Sequence, residues 1–276
     1  MKFLSHSRAR RCAHIVSLTL VAACGMNLSS AATLFTDGFE SGTLSRTPQN
    51  GVSWIDSNSV AVSNNVAASG TYSLRFNFAG VPLGEDSWAE QRITMPQKSE
   101  YWFKYKLYIP TNYTHRADEP SNNKFLAIYQ APYLKDNPGF QVNFSLWANG
   151  SGGSDLYVHY YTAGQAREAR LGSLSFITDA DKGKWMELIA QVKVPTSATS
   201  NDGVMKMWKN GQPVVNITDL QSYGGSGKNY IDQAYLLGWA NSGFTQATVQ
   251  NIDDFVLADS PLNGPVPNPP TNVTVQ

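Results

Sequence analysis

The chain has 276 residues, 42% hydrophobic and 15% charged, a composition that describes a globular, soluble protein with room for one large domain and appendages. Its 21 basic residues match 21 acidic ones, but Lys2, Arg8, Arg10 and Arg11 fall in the first 32 residues, so the remainder is net acidic. That argues against nucleic acid as a partner. Aromatics make up 12%, with 7 Trp and 13 Tyr, which leans toward carbohydrate contact or an aromatic core.

Residues 1–32 read as a signal peptide. A basic start precedes an apolar run from Ile15 to Ala23, too short to span a bilayer, and small residues Ser29 to Ala32 offer cleavage sites. Export to a secreted or periplasmic location is expected. The alternative is a lipid anchor through Cys24, because Val21-Ala22-Ala23-Cys24 resembles a lipoprotein box. Both cysteines, Cys12 and Cys24, lie in this segment, so the mature chain has no disulfide.

From Leu34 onward nearly every segment has strand character. Alternating runs occupy Tyr72–Phe78, Trp88–Pro96 and Tyr101–Ile109, then Phe140–Trp147, Leu156–Tyr161 and Trp185–Val194. Lys209-Asn210-Gly211-Gln212 is an Asn-Gly hairpin turn, and Ala234–Trp239 and Val249–Leu257 close the series. No helical period persists. The expected fold is all-β, a jelly-roll sandwich of two antiparallel sheets over residues 33–262. Long loops at Thr111–Asn122 and Ala148–Ser154 are expected to edge a cleft. The tail, residues 263–276, reads as a Pro-rich linker and the start of a possible fibronectin type III module.

Two strands carry chemistry on one parity. In the first, Tyr101, Phe103, Tyr105, Leu107 and Ile109 form a core face, while Trp102, Lys104, Lys106 and Tyr108 form an aromatic and cationic one. Aromatic rings stack on sugars and cations meet carboxylates, so this second face suits an acidic polysaccharide. In the other strand Tyr157, His159 and Tyr161 project opposite to Leu156, Val158 and Tyr160. His159 is an acid/base candidate there, the alternative being a solvated aromatic ladder.

Several segments together resemble the concanavalin-A-like jelly-roll polysaccharide lyases, especially the alginate- and glucuronan-lyase-like branch. They are Glu90-Gln91-Arg92, Trp102–Pro110, Asn123-Lys124-Phe125, Leu146–Gly150 and Tyr157–Tyr161. The resemblance implies β-elimination on a uronic-acid polymer. Arg92, Lys124 and Asn123 would neutralise the sugar carboxylate, His159 or Lys124 would be the base, and Tyr161 the acid. Glu90 would orient Arg92; Gln91 has the opposite parity. Tyr157, Lys104, Trp102 and Trp147 complete the expected substrate contacts. In such a roll Glu40 and Asp254, with Asp37, would be neighbours able to hold one structural Ca2+.

The leading expectation is therefore a secreted lyase of an acidic polysaccharide, acting as a monomer. A non-catalytic carbohydrate-binding or adhesive jelly-roll module is the alternative. A glycoside hydrolase ranks last, because no strand carries a Glu-x-Asp-x-x-Glu pattern.

Overall fold

The computed structural model describes residues 33–133, 139–162, 165–221 and 229–262, with the backbone alone for 161, 162 and 165–174. The expected signal peptide, Cys24 and the Pro-rich tail lie outside these residues. In chain order the strands are β1 (Thr33–Asp37), β2 (Ser53–Asn58), β3 (Val60–Ser63), β4 (Ser73–Phe78) and β5 (Ser87–Lys98). Next come β6 (Glu100–Ile109), β7 (Asn122–Tyr129), β8 (Gln141–Ala148), β9 (Ser154–Thr162) and β10 (Gln165–Ile177). The last five are β11 (Lys184–Lys193), β12 (Gly203–Lys209), β13 (Gln212–Leu220), β14 (Ile231–Ala240) and β15 (Thr248–Ala258).

These strands form two antiparallel sheets, as alternation predicts. One runs β13-β12-β11-β6-β15-β4-β3, with β1 also on β15; the other runs β10-β9-β8-β7-β14-β5-β2. Among the described residues the only helical turn is a 3-10 turn at Asp179–Asp181, and no helix is long and apolar enough to cross a membrane. The core between the sheets is rich in rings. Phe35, Trp54 and Phe255 pack with centroids 4.8–6.1 Å apart, and Tyr101, Phe103 and Tyr105 are fully buried beside them. Turn chemistry follows sequence: Asn210 and Gly211 have φ of 50° and 76°, both positive as the tight β12–β13 turn demands.

Two features were not foreseen. Gln165–Ile177 contains Q-A-R-E-A-R, weak strand formers, yet it pairs with β9 from Gln165↔Thr162 to Ile177↔Ser154. Tertiary pairing overrides propensity there. The late strands also do not add to an edge: β14 inserts between β5 and β7, and β15 between β4 and β6.

The expected cleft-edging loops are tied together. His115 in the first loop accepts from the Ser154 hydroxyl at Nδ1 (2.8 Å) and donates from Nε2 to the Ser121 carbonyl (2.7 Å). Its backbone N–H donates to the Gly152 carbonyl (3.0 Å). In the same loop the Arg116 guanidinium donates to the carbonyls of Val81, Pro82 and Ser242 (2.9–3.2 Å).

Candidate active site

The outward face of the seven-stranded sheet carries the chemistry. On β5, Ala89, Gln91, Ile93 and Met95 point into the core, so Trp88, Glu90 and Arg92 line the outward face. Gln91 is consumed structurally, taking the Ser57 hydroxyl (2.6 Å) and donating to the carbonyls of Ile55 and Arg92. Glu90 does hold Arg92: Nε to Oε1 is 2.5 Å, and Trp88 Nε1 donates to Oε2 at 3.2 Å. Glu90 is only 3% exposed, so this is no ordinary surface ion pair. Burial opposes the Arg92 charge, but the bond and charge of Glu90 outweigh it and raise its pKa.

Next to this pair the backbone of β14 comes very close. Gly238 has a φ of 130°, and a Cβ there would lie 3.0 Å from the Tyr235 ring, 3.1 Å from Lys124 Cβ and 3.3 Å from Glu90 Oε2. Only glycine lets Glu90, Lys124 and Tyr235 converge on this spot. Tyr235 belongs to a ring cluster with Tyr129 and Tyr133, at centroid distances of 5.1–6.1 Å over Ala127. Burial raises the pKa of all three phenols, so each is protonated at neutral pH and is a proton donor.

The other flank comes from β8 and β9. On β8 the core takes Val142, Phe144 and Leu146, leaving Gln141, Asn143, Ser145 and Trp147 outward. Asn143 sits directly opposite His159, and Ser145 is opposite both Tyr157 and Lys124. Trp147 tilts against Tyr157 with centroids 4.9 Å apart. Tyr160 packs on the core, so the predicted parity of β9 holds; the side chain of Tyr161 lies outside the described residues. Asn143, Ser145 and His159 are buried although they point away from the core, which makes this face a recess. Tyr129 Oη, Asn143 Oδ1 and Ser145 Oγ are buried there with no hydrogen-bond partner among the described residues. Polar atoms so held suit a hydroxyl-bearing ligand.

Strand order fixes the spacing. Arg92 pairs with Tyr235, Tyr235 with Ala127, Ala127 with Asn143, and Asn143 with His159. Arg92 and His159 are thus about 19 Å apart at the backbone, four strand spacings. Lys124 on the central β7 lies about 10 Å from the strand of each.

Three expected contacts are not brought here. Asn123 neighbours Lys124 in sequence, so alternation turns it to the opposite face, where its Oδ1 accepts from the Ser242 hydroxyl (3.1 Å). Trp102 and Lys104 are on β6, in the other sheet. Trp102 is buried against Trp208 with centroids 5.8 Å apart, and Lys104 pairs with Glu187 at 2.8 Å. Lys106 likewise pairs with Asp254 at 2.8 Å, so the cationic face expected on this strand is neutralised by its neighbours.

The expected cation ligands are also committed elsewhere. Glu40 accepts from the N–H groups of Thr71 and Tyr72 (2.9–3.1 Å), and Asp37 from Phe39 N–H and Trp54 Nε1 (both 2.7 Å). Asp254 accepts from Ser69 and Lys106. Every one of these carboxylates faces hydrogen-bond donors, and no group of three candidate ligands occurs among the described residues.

Sequence reasoning missed Tyr129, Tyr133, Asn143, Tyr235 and Trp239. Trp88 was within its reach, since it shares parity with Glu90 and Arg92. Tyr235 and Trp239 also share parity, but nothing in the sequence places their strand beside β5, where they pair with Arg92 and Trp88.

Comparison with known proteins agrees with this fold. An alginate lyase solved with alginate tetrasaccharide has 14% identity and a TM-score of 0.60, covering 86% of this chain and 100% of its own. An endo-β-1,4-glucuronan lyase from the fungus Trichoderma reesei has 14% identity and a TM-score of 0.55, covering 75% and 91%. An alginate lyase from Chlorella virus has 9% identity and a TM-score of 0.58, covering 83% and 100%. These likenesses establish the jelly-roll fold. No curated protein matches the sequence. The family model described as polysaccharide lyase matches residues 39–236, a span that holds Glu90, Arg92, Lys124, His159 and Tyr235, and the chain belongs to that polysaccharide lyase family.

Proposed function

We propose that this protein cleaves a uronic-acid-containing polysaccharide by β-elimination. The observation that carries the reading is the central position of Lys124 in the recess, two strands from Arg92 and two from His159. The proton at C5 of a uronate becomes removable when cations and amides neutralise the adjacent carboxylate. Lys124 supplies the cation at the reacting sugar, and Arg92, fixed by Glu90 and about 19 Å from His159 at the backbone, meets the carboxylate of another sugar of the chain. Asn143 supplies the amide, in the role expected of Asn123. His159, opposite Asn143, takes the C5 proton. The electron pair forms the C4–C5 double bond as the C4–O bond breaks, and a phenol gives its proton to the departing oxygen. Tyr161 is the expected donor; Tyr235, protonated and beside Lys124, is the alternative.

Two further points support the reading without entering the chemistry. The solved relatives of the same fold act on alginate or glucuronan, both polyuronates. The leader-like residues 1–32 fit an enzyme that meets its polymer outside the cytoplasm.

The test is the near-ultraviolet absorbance of unsaturated uronate during incubation with alginate, glucuronan and other uronic-acid polymers. The intact protein should generate it with at least one polymer. Lys124→Ala and His159→Ala should each lower the rate by about 100-fold or more. Tyr161→Phe and Tyr235→Phe assign the acid, since only the true donor's loss is severe. Full activity in both Lys124→Ala and His159→Ala would discard the assignment. Polymer binding without product would instead favour a carbohydrate-binding module.

A further inference from the structure

The strand that alternation alone did not reveal stands next to the expected base. β10 ends the seven-stranded sheet and pairs with β9 in unbroken antiparallel register from Gln165↔Thr162 to Arg170↔Tyr157. Val158 and Tyr160 of β9 pack on the core, so their partners Ala169 and Arg167 take the core parity. Ala166, Glu168 and Arg170 take the parity of their partners Tyr161, His159 and Tyr157, which is that of the recess. Glu168 is thus the cross-strand partner of His159. Residues so paired have Cβ atoms about 5 Å apart, and opposite charges at such positions attract. His159 stands between Asn143 on β8 and Glu168 on β10.

A base that takes a proton becomes a cation, and His159 must do so at 8% exposure. Burial disfavours the imidazolium, and Lys124, about 10 Å away across two strands, disfavours it further. Asn143 carries no charge, and Tyr157 and Tyr161 flank His159 along β9 with phenols. The one acid of β9, Asp155, is four residues along, about 13 Å. Arg170, two residues from Glu168 on the same parity, is a second cation. Glu168 is the acid at an adjacent register position. We propose that Glu168 is the positioning residue of His159, holding the imidazole toward C5 and steadying the imidazolium formed when the C5 proton arrives. The proton passes from C5 to His159 and stays there; Glu168 supplies charge and takes none of it. Charge on an edge strand ordinarily guards against pairing with other chains, but Glu168 has a buried histidine as its partner. This inference rests on the lyase reading above.

The experiment compares the intact chain with Glu168→Gln and Glu168→Asp in two readouts. The first is the pH profile of kcat/KM for uronate formation on whichever polymer the wild type cleaves. His159 is a base only when unprotonated, so activity rises as pH climbs through its pKa. Glu168→Gln removes the charge that raises this pKa. Its acidic limb should lie about one pH unit lower, and its plateau about 10-fold lower. Glu168→Asp, which keeps the charge, should restore the limb, a rescue that a merely structural role would not give. The second readout needs no substrate. It is the NMR titration of the His159 imidazole, identified by the signal missing in His159→Ala, and it should move down with the limb in Glu168→Gln. An acidic limb unchanged in Glu168→Gln, with wild-type cleavage intact, overturns the positioning role and leaves the lyase reading standing. A wild type that cleaves no uronate polymer overturns the lyase reading, and an unmoved titration then overturns the pairing of Glu168 with His159 as well.

Discussion

The His115 imidazole is buried with both ring nitrogens engaged, one receiving the Ser154 hydroxyl and the other donating to the Ser121 carbonyl. The Ser121 carbonyl requires a proton on Nε2, and burial disfavours a second one on Nδ1, so the ring is held neutral. Burial lowers its pKa from 6.5 to about 4, with the Ser121 bond a smaller opposing effect. The unfolded ring takes up a proton below about 6.5 while the folded ring resists until about 4, so its stabilisation is full above 6.5 and is lost as pH falls through this window. The stability gap between wild type and His115→Asn, measured by urea denaturation, should accordingly narrow from pH 6.5 to 4. A constant gap would mean the ring is not held neutral. The sequence identified His115 as a loop residue and no more, because its partners Ser121 and Ser154 meet it only through folding.

At the scale of elements, the meeting of β5, β14 and β7 at Gly238 organises the recess. The glycine's φ of 130° lets Lys124, Tyr235 and Glu90 crowd a position that any side chain would fill. Gly238→Ala should destabilise the protein by about 1–3 kcal/mol. It should also cut the rate of uronate formation by at least tenfold, through displacement of Lys124 and Tyr235 by their new neighbour. Thermal melts and product absorbance measure the two effects. An active, equally stable variant would show that the close approach is not needed. Nothing in A-Y-L-L-G-W reveals this. The glycine is visible in the sequence, but the side chains it makes room for come from residues 90 and 124.

For the molecule as a whole, stability rests on packing. Residues 33–262 contain no cysteine, and the carboxylates that might bind a cation are occupied by backbone N–H groups, Ser69, Trp54 and Lys106. Burial would raise the Asp254 pKa, but the bonds from Lys106 and Ser69 prevail and hold it below the usual carboxylate value. Neither a chelator nor a reductant should therefore shift the melting temperature, as read by differential scanning calorimetry. A fall with chelator would reinstate a structural cation near Glu40 and Asp254.

The sequence by itself determined what is local. Period-2 alternation assigned the two faces of the strands holding Arg92, Lys104 and His159, and Asn210-Gly211 fixed a hairpin, because side-chain direction and turn geometry depend on a few adjacent residues. The pairing of Glu90 with Arg92 was legible for the same reason. Only the tertiary structure decided which strands share a sheet. It put Trp102 and Lys104 on the other sheet from Arg92, brought Tyr235 and Trp239 between Arg92 and Lys124, and recruited Gln165–Ile177 as a strand. Strand partnership is a long-range choice, made by burying one face of each sheet against the other. The alternation that reveals the face of a strand is the same whichever neighbour it takes.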